Sequence, residues 1–401
     1  MFPIGAFLSS QYPGQGVRIA IFTDTFLPQI NGIVTVTASL AEHLADRGHH
    51  VYIIAPKYKG VAEYRHPGVT VKRVPSVPAF FYEEFRFTPF PNLEIISYLK
   101  KERIDIIHFQ TPVTLGLQAV MTARVLKLPL VGTYHTLFSD PQYLRHIKLG
   151  SHLAQRLSWS YAAMYYDRCD LITCPTEIVK EELLAHGFKR PIRAISNGIE
   201  LDTFDNTGWK EKKRKYNPDG KLLLFTGRIA HEKNINYLLD CFARIRKEVP
   251  GTKLLIVGDG PQMEEVRAHS RALHLAGEVI FAGRMERKQL LASGIFKACD
   301  VFVTASTTET QCISVLEAQA NGLPTVGVKE RGVTEVVRNR VNGFLVENGD
   351  KEAFVHAVVR LLKDDTLRAR LGKNAMRDVR KHDMGHIARV WEREYAALFK
   401  R

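Results

Sequence analysis

Short apolar runs rich in Val, Ile and Leu alternate along the chain with helix-length amphipathic stretches. In the first half the runs predict strands at 17–23, 51–55, 69–74, 105–109, 130–133 and 170–173. Helices fit between them at 34–47, 92–102, 114–126, 141–167 and 176–186. The second half restarts the rhythm. Strands are expected near 221–226, 253–257, 278–281, 300–304, 324–327 and 343–346. Helices are expected near 234–248, 261–274, 286–297, 313–321, 350–363 and 365–380. Continuous apolar strands spaced by helices imply buried parallel sheets made of βαβ units. Two such series imply an α/β protein with two doubly wound, Rossmann-like domains.

The polar, turn-rich stretch Asn206–Gly220 reads as the break between them. It gives an N-terminal domain over 1–205 and a C-terminal domain over 206–384. Its Lys/Arg run at 210–215 reads as a solvated segment. A last amphipathic helix, about 385–399, carries Ile387, Val390, Trp391, Tyr395 and Leu398.

Composition narrows the class. A chain of 401 residues with 45% apolar and 24% charged residues is ordinary globular material, so wholesale disorder is excluded. No apolar run reaches the ~18–20 residues of a membrane-spanning helix. Residues 1–10 lack a basic leader, which argues against a secretory signal. Five scattered cysteines make poor disulfide arithmetic and suit a reducing cytosol. CxxC and HExxH are missing, so a zinc site is not expected. The net charge of +14 is spread over both halves. Such a field suits nucleic acid, an anionic membrane or a phosphorylated substrate, or merely solubility.

Candidate chemistry lies at strand ends, where ligands bind open α/β sheets. The first strand runs into Phe22-Thr-Asp24-Thr-Phe-Leu-Pro-Gln-Ile-Asn-Gly32-Ile-Val34. Gly32 before a helix is either a plain turn or an anion site built from backbone N–H groups. The strand at 221–226 ends in Gly227-Arg228-Ile-Ala-His-Glu-Lys233-Asn234. Two cations at a helix start suit a diphosphate, or are simply surface charges. After the strand at 300–304 come Glu309 and, eight residues on, Glu317 inside an apolar helix. A carboxylate there needs a hydrogen-bonding partner, for which a ribose diol is suitable. Gln311, Cys312 and Ile313 open that helix and could turn backbone N–H groups to phosphate. His108 and His135 each follow a strand, as structural or as cleft residues.

Together these segments resemble retaining glycosyltransferase family four. The resemblance rests on Glu309-x7-Glu317 with Ala318-Gln-Ala-Asn-Gly-Leu-Pro324, on Gly227–Asn234, on Ser196-Asn-Gly-Ile-Glu-Leu-Asp-Thr-Phe204, and on Asn342-Gly-Phe344. It covers the chain from about residue 17. It implies the GT-B fold: two Rossmann-like domains facing across a cleft, with the C-terminal helix, 385–401, crossing back to the N-terminal domain. It also implies a nucleotide-sugar donor as co-substrate, with no metal or other cofactor. Arg228 and Lys233 should bind the donor diphosphate. Glu317 should hold the ribose and Glu309 the hexose hydroxyls. Gln311–Ile313 should adjoin the phosphates, Gly32 should approach the β-phosphate, and His135 should lie near the transferred sugar. Where many relatives carry Gly after the first Glu, this chain has Gln311-Cys312, an arrangement also similar to lipid glycosyltransferases of the family.

Two segments bear on the acceptor. The Pro-punctuated stretch 74–90 holds Phe80, Phe81, Tyr82, Phe85, Phe87 and Phe90. In the helix 141–167, Leu153, Leu157, Tyr161 and Met164 recur at helical spacing and are expected to face the core. Arg145, Lys148, Arg156 and Trp159 should lie elsewhere on its surface. Aromatics and cations around a cleft suit an anionic bilayer, or are loop packing and solvated charge. Asp24 and His108 are placed on the same acceptor side. The resemblance is nearest to bacterial enzymes acting on diacylglycerol or phosphatidylinositol-type lipids. The expected activity is therefore transfer of a hexose, from UDP-glucose, to a lipid such as diacylglycerol by a cytoplasmic enzyme peripheral to the inner face of the cell membrane. The close rivals are a GDP-mannose-dependent α-mannosyltransferase and an enzyme acting on soluble sugars or glycans. A nucleic-acid-binding role lacks any helix-turn-helix, zinc finger or RNP-like run. A dehydrogenase lacks GxGxxG after the first strand. An epimerase or a glycogen-type synthase keeps the fold and changes the reaction.

Overall fold

The computed structural model describes residues 16–29, 31–58, 60, 64–79, 85–135 and 151–399. The chain divides into two units, 1–198 with 384–401, and 199–383.

Unit 1 is built on seven parallel strands: β1 (Arg18–Phe22), β2 (His50–Pro56), β3 (Val69–Val74), β6 (Ile106–Phe109), β7 (Leu130–Thr133), β8 (Leu171–Cys174) and β9 (Ile192–Ala194). Their order is β3-β2-β1-β6-β7-β8-β9. A two-strand ribbon of β4 (Val77–Pro78) and β5 (Arg86–Phe87) stands apart. The helices are α1 (Gly32–Asp46), α2 (Leu93–Lys101), α3 (Thr114–Leu126), α4 (Ser151–Tyr166), α5 (Glu177–Ala185) and, from the far end of the chain, α15 (Met384–Leu398). Strand residues alternate between two cores. Ile19, Ile21, Val51, Ile53 and Ile106 face one side with residues of α1 and α15. Ala20, Phe22, Ile54, Ile107 and Phe109 face the other with residues of α2, α3 and α4. This two-sided burial is why the strands read as unbroken apolar runs.

Unit 2 repeats the plan with six parallel strands: β10 (Leu222–Thr226), β11 (Lys253–Val257), β12 (Val279–Gly283), β13 (Val301–Thr304), β14 (Thr325–Val328) and β15 (Gly343–Val346). The order β12-β11-β10-β13-β14-β15 is the 3-2-1-4-5-6 order of a dinucleotide-type fold. Its helices are α6 (Trp209–Tyr216), α7 (Ile235–Glu248), α8 (Met263–Ala272), α9 (Arg287–Leu291), α10 (Ile295–Ala298), α11 (Ile313–Ala320), α12 (Arg331–Val336), α13 (Lys351–Lys363) and α14 (Asp365–Asp378). Asn31, Asn92, Thr176, Asp350 and Asp364 each accept a backbone N–H as helix N-caps, which fixes where α1, α2, α5, α13 and α14 begin.

Three organisational expectations are corrected. The division falls at 198/199, and the expected linker is not a free segment. Within it α6 forms because Tyr216 is buried in the unit 2 core and Lys213 Nζ is held by Asp300 Oδ2 at 3.0 Å and the Gly220 carbonyl at 2.8 Å. The expected helix 286–297 is two short helices, broken at Gly294, whose φ is +71°. The strands β9, β4 and β5 and the helix α12 carry too short a pattern to be read from periodicity. The last helix does lie with the first half of the chain. Glu392 of α15 accepts two 2.7 Å hydrogen bonds from Arg47 and lies 3.1 Å from His49 Nε2. Among the described residues, no helix is long and apolar enough to cross a membrane.

Candidate functional site

In unit 2 the strand order reverses between β10 and β13, and the expected donor residues sit at the carboxyl ends of these two strands. This is the switch point at which open α/β sheets bind ligands. After β10, Gly227 leads into Arg228, and a 3-10 turn, His231–Lys233, carries Lys233. After β13, the loop brings Glu309 to Lys233, with Nζ and Oε1 at 2.5 Å. Ser306 Oγ ties the two loops together: it donates to the Glu232 carbonyl at 3.2 Å and lies 3.2 Å from Glu309 Oε1. The expected diphosphate cation and the expected hexose carboxylate are thus already partners.

Glu317 lies within α11 and is buried, as its apolar setting suggested. Burial pushes its pKa up, and Arg287 opposes that rise by charge and by a 3.0 Å hydrogen bond from Nε. Arg287 was not legible as a site residue, since its pairing spans thirty residues. Gln311 and Cys312 are buried ahead of α11, whose N-cap, Cys312, makes no side-chain capping bond. Burial, first of all, drives the Cys312 thiol up to about 12, which keeps it protonated at neutral pH.

Two glycines shape this crevice and escaped the sequence reading. Gly258, after β11, has φ +153°, and a Cβ there would lie 1.8 Å from the Gly227 carbonyl oxygen. Gly332, in α12, donates its N–H to the Glu309 carbonyl at 2.9 Å, and a Cβ there would come within 2.6 Å of the Thr310 backbone. Both let one backbone lie directly on another beside the loops that carry Gly227 and Glu309. The run Gly258-Asp-Gly-Pro261 after a predicted strand was the available signal for the first.

Residues 30–203 match the family described as Glycosyltransferase Family 4, and residues 208–378 match Glycosyl transferases group 1. The chain is 33% identical to the alpha-monoglucosyldiacylglycerol synthase of Streptococcus pneumoniae, over 82% of this chain and 75% of that one. The chain belongs to glycosyltransferase family 4. It is also 30% identical to a GDP-mannose-dependent alpha-mannosyltransferase of Mycobacterium tuberculosis, over 84% of this chain and 85% of that one. Among solved structures, HepE of Anabaena in complex with UDP is similar with a TM-score of 0.76 at 17% identity, covering 95% of this chain and 100% of that one. Sucrose-phosphate synthase of Thermosynechococcus elongatus gives 0.77 at 20% identity, covering 96% and 99%. The fold is GT-B and the enzyme is a hexosyltransferase.

In unit 1 of this glycosyltransferase the strand order reverses between β1 and β6. Gly32 opens α1 on the β1 side and is exposed. Asn31 beside it takes the Val34 N–H at 2.9 Å, so the N-terminus of α1 is partly capped from within. His135 follows β7, half-buried, with Nε2 2.6 Å from Gln110 Oε1. Burial pushes its pKa down to about 4, so the ring is neutral at physiological pH.

Four residues expected on the acceptor side are corrected. Asp24 is fully buried: it accepts from Thr111 Oγ1 at 2.7 Å, Thr114 Oγ1 at 3.2 Å and the Leu115 N–H at 2.7 Å, and so caps α3. Desolvation lifts its pKa to about 6 against those bonds. His108 is also fully buried, between Tyr395 OH at 2.8 Å and Thr133 Oγ1 at 2.6 Å. Phe85 is buried with Ala79 and Val113. Trp159 packs on the core, its ring stacked 3.8 Å from His186.

The converse also holds. Leu153, Leu157, Tyr161 and Met164, expected in the core, are 53%, 52%, 43% and 40% exposed. The helix α4 carries two apolar stripes of equal period. The buried one is Ala162, Tyr165 and Tyr166, which pack in the core with α2 and α3; Tyr166 OH reaches the Thr133 carbonyl at 2.9 Å and Tyr165 OH the Val113 carbonyl at 3.3 Å, while Tyr161 OH of the other stripe reaches the Pro112 carbonyl at 2.7 Å. Arg156 is exposed on the same helix, as expected. Phe81, Tyr82, Arg145 and Lys148 lie outside the described residues.

Proposed function

We propose that the enzyme moves a hexose from a nucleoside diphosphate donor, UDP-glucose by preference, to a lipid hydroxyl such as that of 1,2-diacylglycerol, with retention at the anomeric carbon. The observation that carries the donor half is the Lys233–Glu309 pair at the β10/β13 switch point, with Arg228 earlier in the loop that carries Lys233. When the C1–O bond breaks, its electron pair moves to a β-phosphate oxygen, and fixed cations there lower the barrier. Arg228 and Lys233 serve that oxygen. The incoming phosphate takes Glu309's place on Lys233 and leaves the carboxylate to hexose hydroxyls. Glu317, held by Arg287, receives the ribose diol, and the backbone from Gln311 to Ile313 adjoins the phosphates. No resident metal is called for. The acceptor hydroxyl attacks from the face the phosphate leaves, and its proton passes to that phosphate.

The lipid half of the reading is supported by the monoglucosyldiacylglycerol synthase relative and by the ridge of Leu153, Leu157 and Met164 on α4, flanked by exposed Arg156 and Arg168. Apolar side chains edged by cations suit the boundary of an anionic bilayer at the inner face of the membrane. The mannosyltransferase relative keeps GDP-mannose as the second donor to test. The experiment is nucleoside diphosphate release by the purified protein over a panel of UDP-, GDP- and ADP-sugars, with and without anionic vesicles containing diacylglycerol. Release from UDP-glucose that depends on those vesicles is expected. Equal release with soluble sugars alone would discard the lipid acceptor and keep the donor site.

A further inference from the structure

The carboxylate of Glu317 is held from one side. Arg287, the first residue of α9, donates from Nε to Glu317 Oε1 at 3.0 Å. The backbones behind the two side chains are packed together: Leu291 of α9 and Ile295 of α10 share a core with Val315, Leu316 and Ala318 of α11. The end of α11 is tied as well. Asn321 Nδ2 donates to the Glu317 carbonyl at 2.9 Å, and Asn321 Oδ1 accepts from Asn206 Nδ2 at 2.9 Å. Among the described residues, Arg287 is the donor that the Glu317 carboxylate meets, and it meets Oε1. The side chain is only 8% exposed. A nearly buried carboxylate with about four lone-pair sites thus has Oε2 left for a hydroxyl.

Arg287 does two things for that acceptor. The last torsion of a glutamate side chain has no sharp preference of its own, so the Nε bond sets the plane in which Oε2 lies. Burial favours the protonated acid, and the charge of the guanidinium opposes it.

We infer that Arg287 is a positioning residue that makes the donor site selective for a ribose: by holding Glu317 Oε1 it presents Oε2 to the ribose hydroxyls. The inference rests on the proposed placement of the ribose at Glu317. Its consequence is specific. Arg287 acts through Glu317 and on binding, not on the chemical step, and without it the site no longer tells a ribonucleotide from its deoxy form.

The test reads nucleotide affinity by calorimetry, with steady-state kinetics, on the full chain. The probes are UDP and 2′,3′-dideoxy-UDP, or the GDP pair if the wild type turns over GDP-mannose. The wild type should prefer the ribonucleotide by roughly ten- to a hundred-fold, the scale of hydrogen bonds to an ionised group. In Arg287→Met that preference should shrink to about three-fold, the scale of a bond to a neutral acceptor. Donor KM should rise about ten-fold with kcat within about two-fold, the pattern of lost uniform binding. Arg287→Gln is also uncharged and carries the same expectation if the methionine variant does not fold. Added to Glu317→Gln, Arg287→Met should change nucleotide affinity by less than about two-fold, because a residue that acts through another has nothing further to lose. A full ribonucleotide preference in the Arg287 variants, losses that add in the double variant, or a fall in kcat with donor KM unchanged would each overturn the inference. No preference in the wild type, or a full preference in Glu317→Gln, would instead overturn the placement of the ribose at Glu317.

Discussion

The two units share one architecture and treat their polar residues in opposite ways. In unit 2 the charged groups at the switch point, Lys233 and Glu309, are only partly buried and face each other across the crevice end of the sheet. In unit 1 the corresponding polar groups are drawn inside. Asp24 after β1 caps α3, and His108 within β6 is clamped by α15. Strand-end position is thus a guide to a ligand site only where the side chain stays at the end of the sheet and is not drawn into the core. In unit 1 the chain's own helices hold Asp24 and His108, while His135 after β7 is half-buried and paired with Gln110.

The sharpest way to break this comparison is to remove the unit 2 cations. Lys233→Ala and Arg228→Ala should each lower turnover by roughly 10²–10³, as loss of a group stabilising developing charge does. Asp24→Asn should leave the reacting groups in place and show itself in thermal stability. Steady-state kinetics beside melting curves check this, and near-normal rates for both cation variants would remove the donor-site assignment.

A smaller effect is expected from the backbone contacts that build the crevice. Gly258→Ala adds a Cβ at 1.8 Å from the Gly227 oxygen in a backbone conformation of φ +153°. It should cost about 3 kcal/mol of unfolding free energy and weaken donor binding. Denaturant melts with and without UDP would show it. An alanine variant as stable as the wild type would mean that the β10 and β11 loops do not lie so close.

Acid should separate the units next. Burial holds His108 and His135 in unit 1 at about 3 and 4, and His382 in unit 2 at about 4, against an ordinary 6.5. The unfolded chain binds protons that these rings refuse, so their contribution is full above about pH 6.5 and is lost as pH falls towards 4. In unit 1 burial works against Glu392, but His49 and Arg47 still hold it at about 2, so its contribution is lost in turn as pH falls below its ordinary 4.5. Asp24, raised to about 6, opposes this loss over part of the range. Unit 1 should unfold first, which Trp159 and Trp391 fluorescence would report against Trp209 in unit 2. Loss of unit 2 first would contradict the account.

The smallest effect on the fold, and the most selective on function, should come from the α4 ridge. Leu153→Ser with Leu157→Ser should weaken binding to anionic vesicles about ten-fold, from the apolar area withdrawn, and leave donor affinity unchanged. Vesicle sedimentation with nucleotide titration reads both.

What the sequence made legible follows from the range of each signal. The buried strands and their helices were readable because a doubly wound sheet writes continuous apolar runs. The candidate donor motifs were readable because Gly227–Lys233 and Glu309–Glu317 are each contiguous. Arg287 on Glu317, Gly332 on the Glu309 loop and Gln110 behind His135 were not, since these pairings span 23 to 30 residues of chain with no local pattern. On α4, two stripes of the same period compete, and periodicity cannot rank them. The apolar neighbours that only the folded chain presents decide, since tyrosine hydroxyls of both stripes reach backbone carbonyls.

The most direct measurement is the structure of the product. UDP-glucose labelled at C1 would be incubated with the enzyme and anionic vesicles containing diacylglycerol, and the lipid extract analysed by NMR for aglycone and anomeric configuration. The account predicts an α-linked glucosyl group on the diacylglycerol hydroxyl. A β-linked product, or label found only in a soluble sugar, would contradict it.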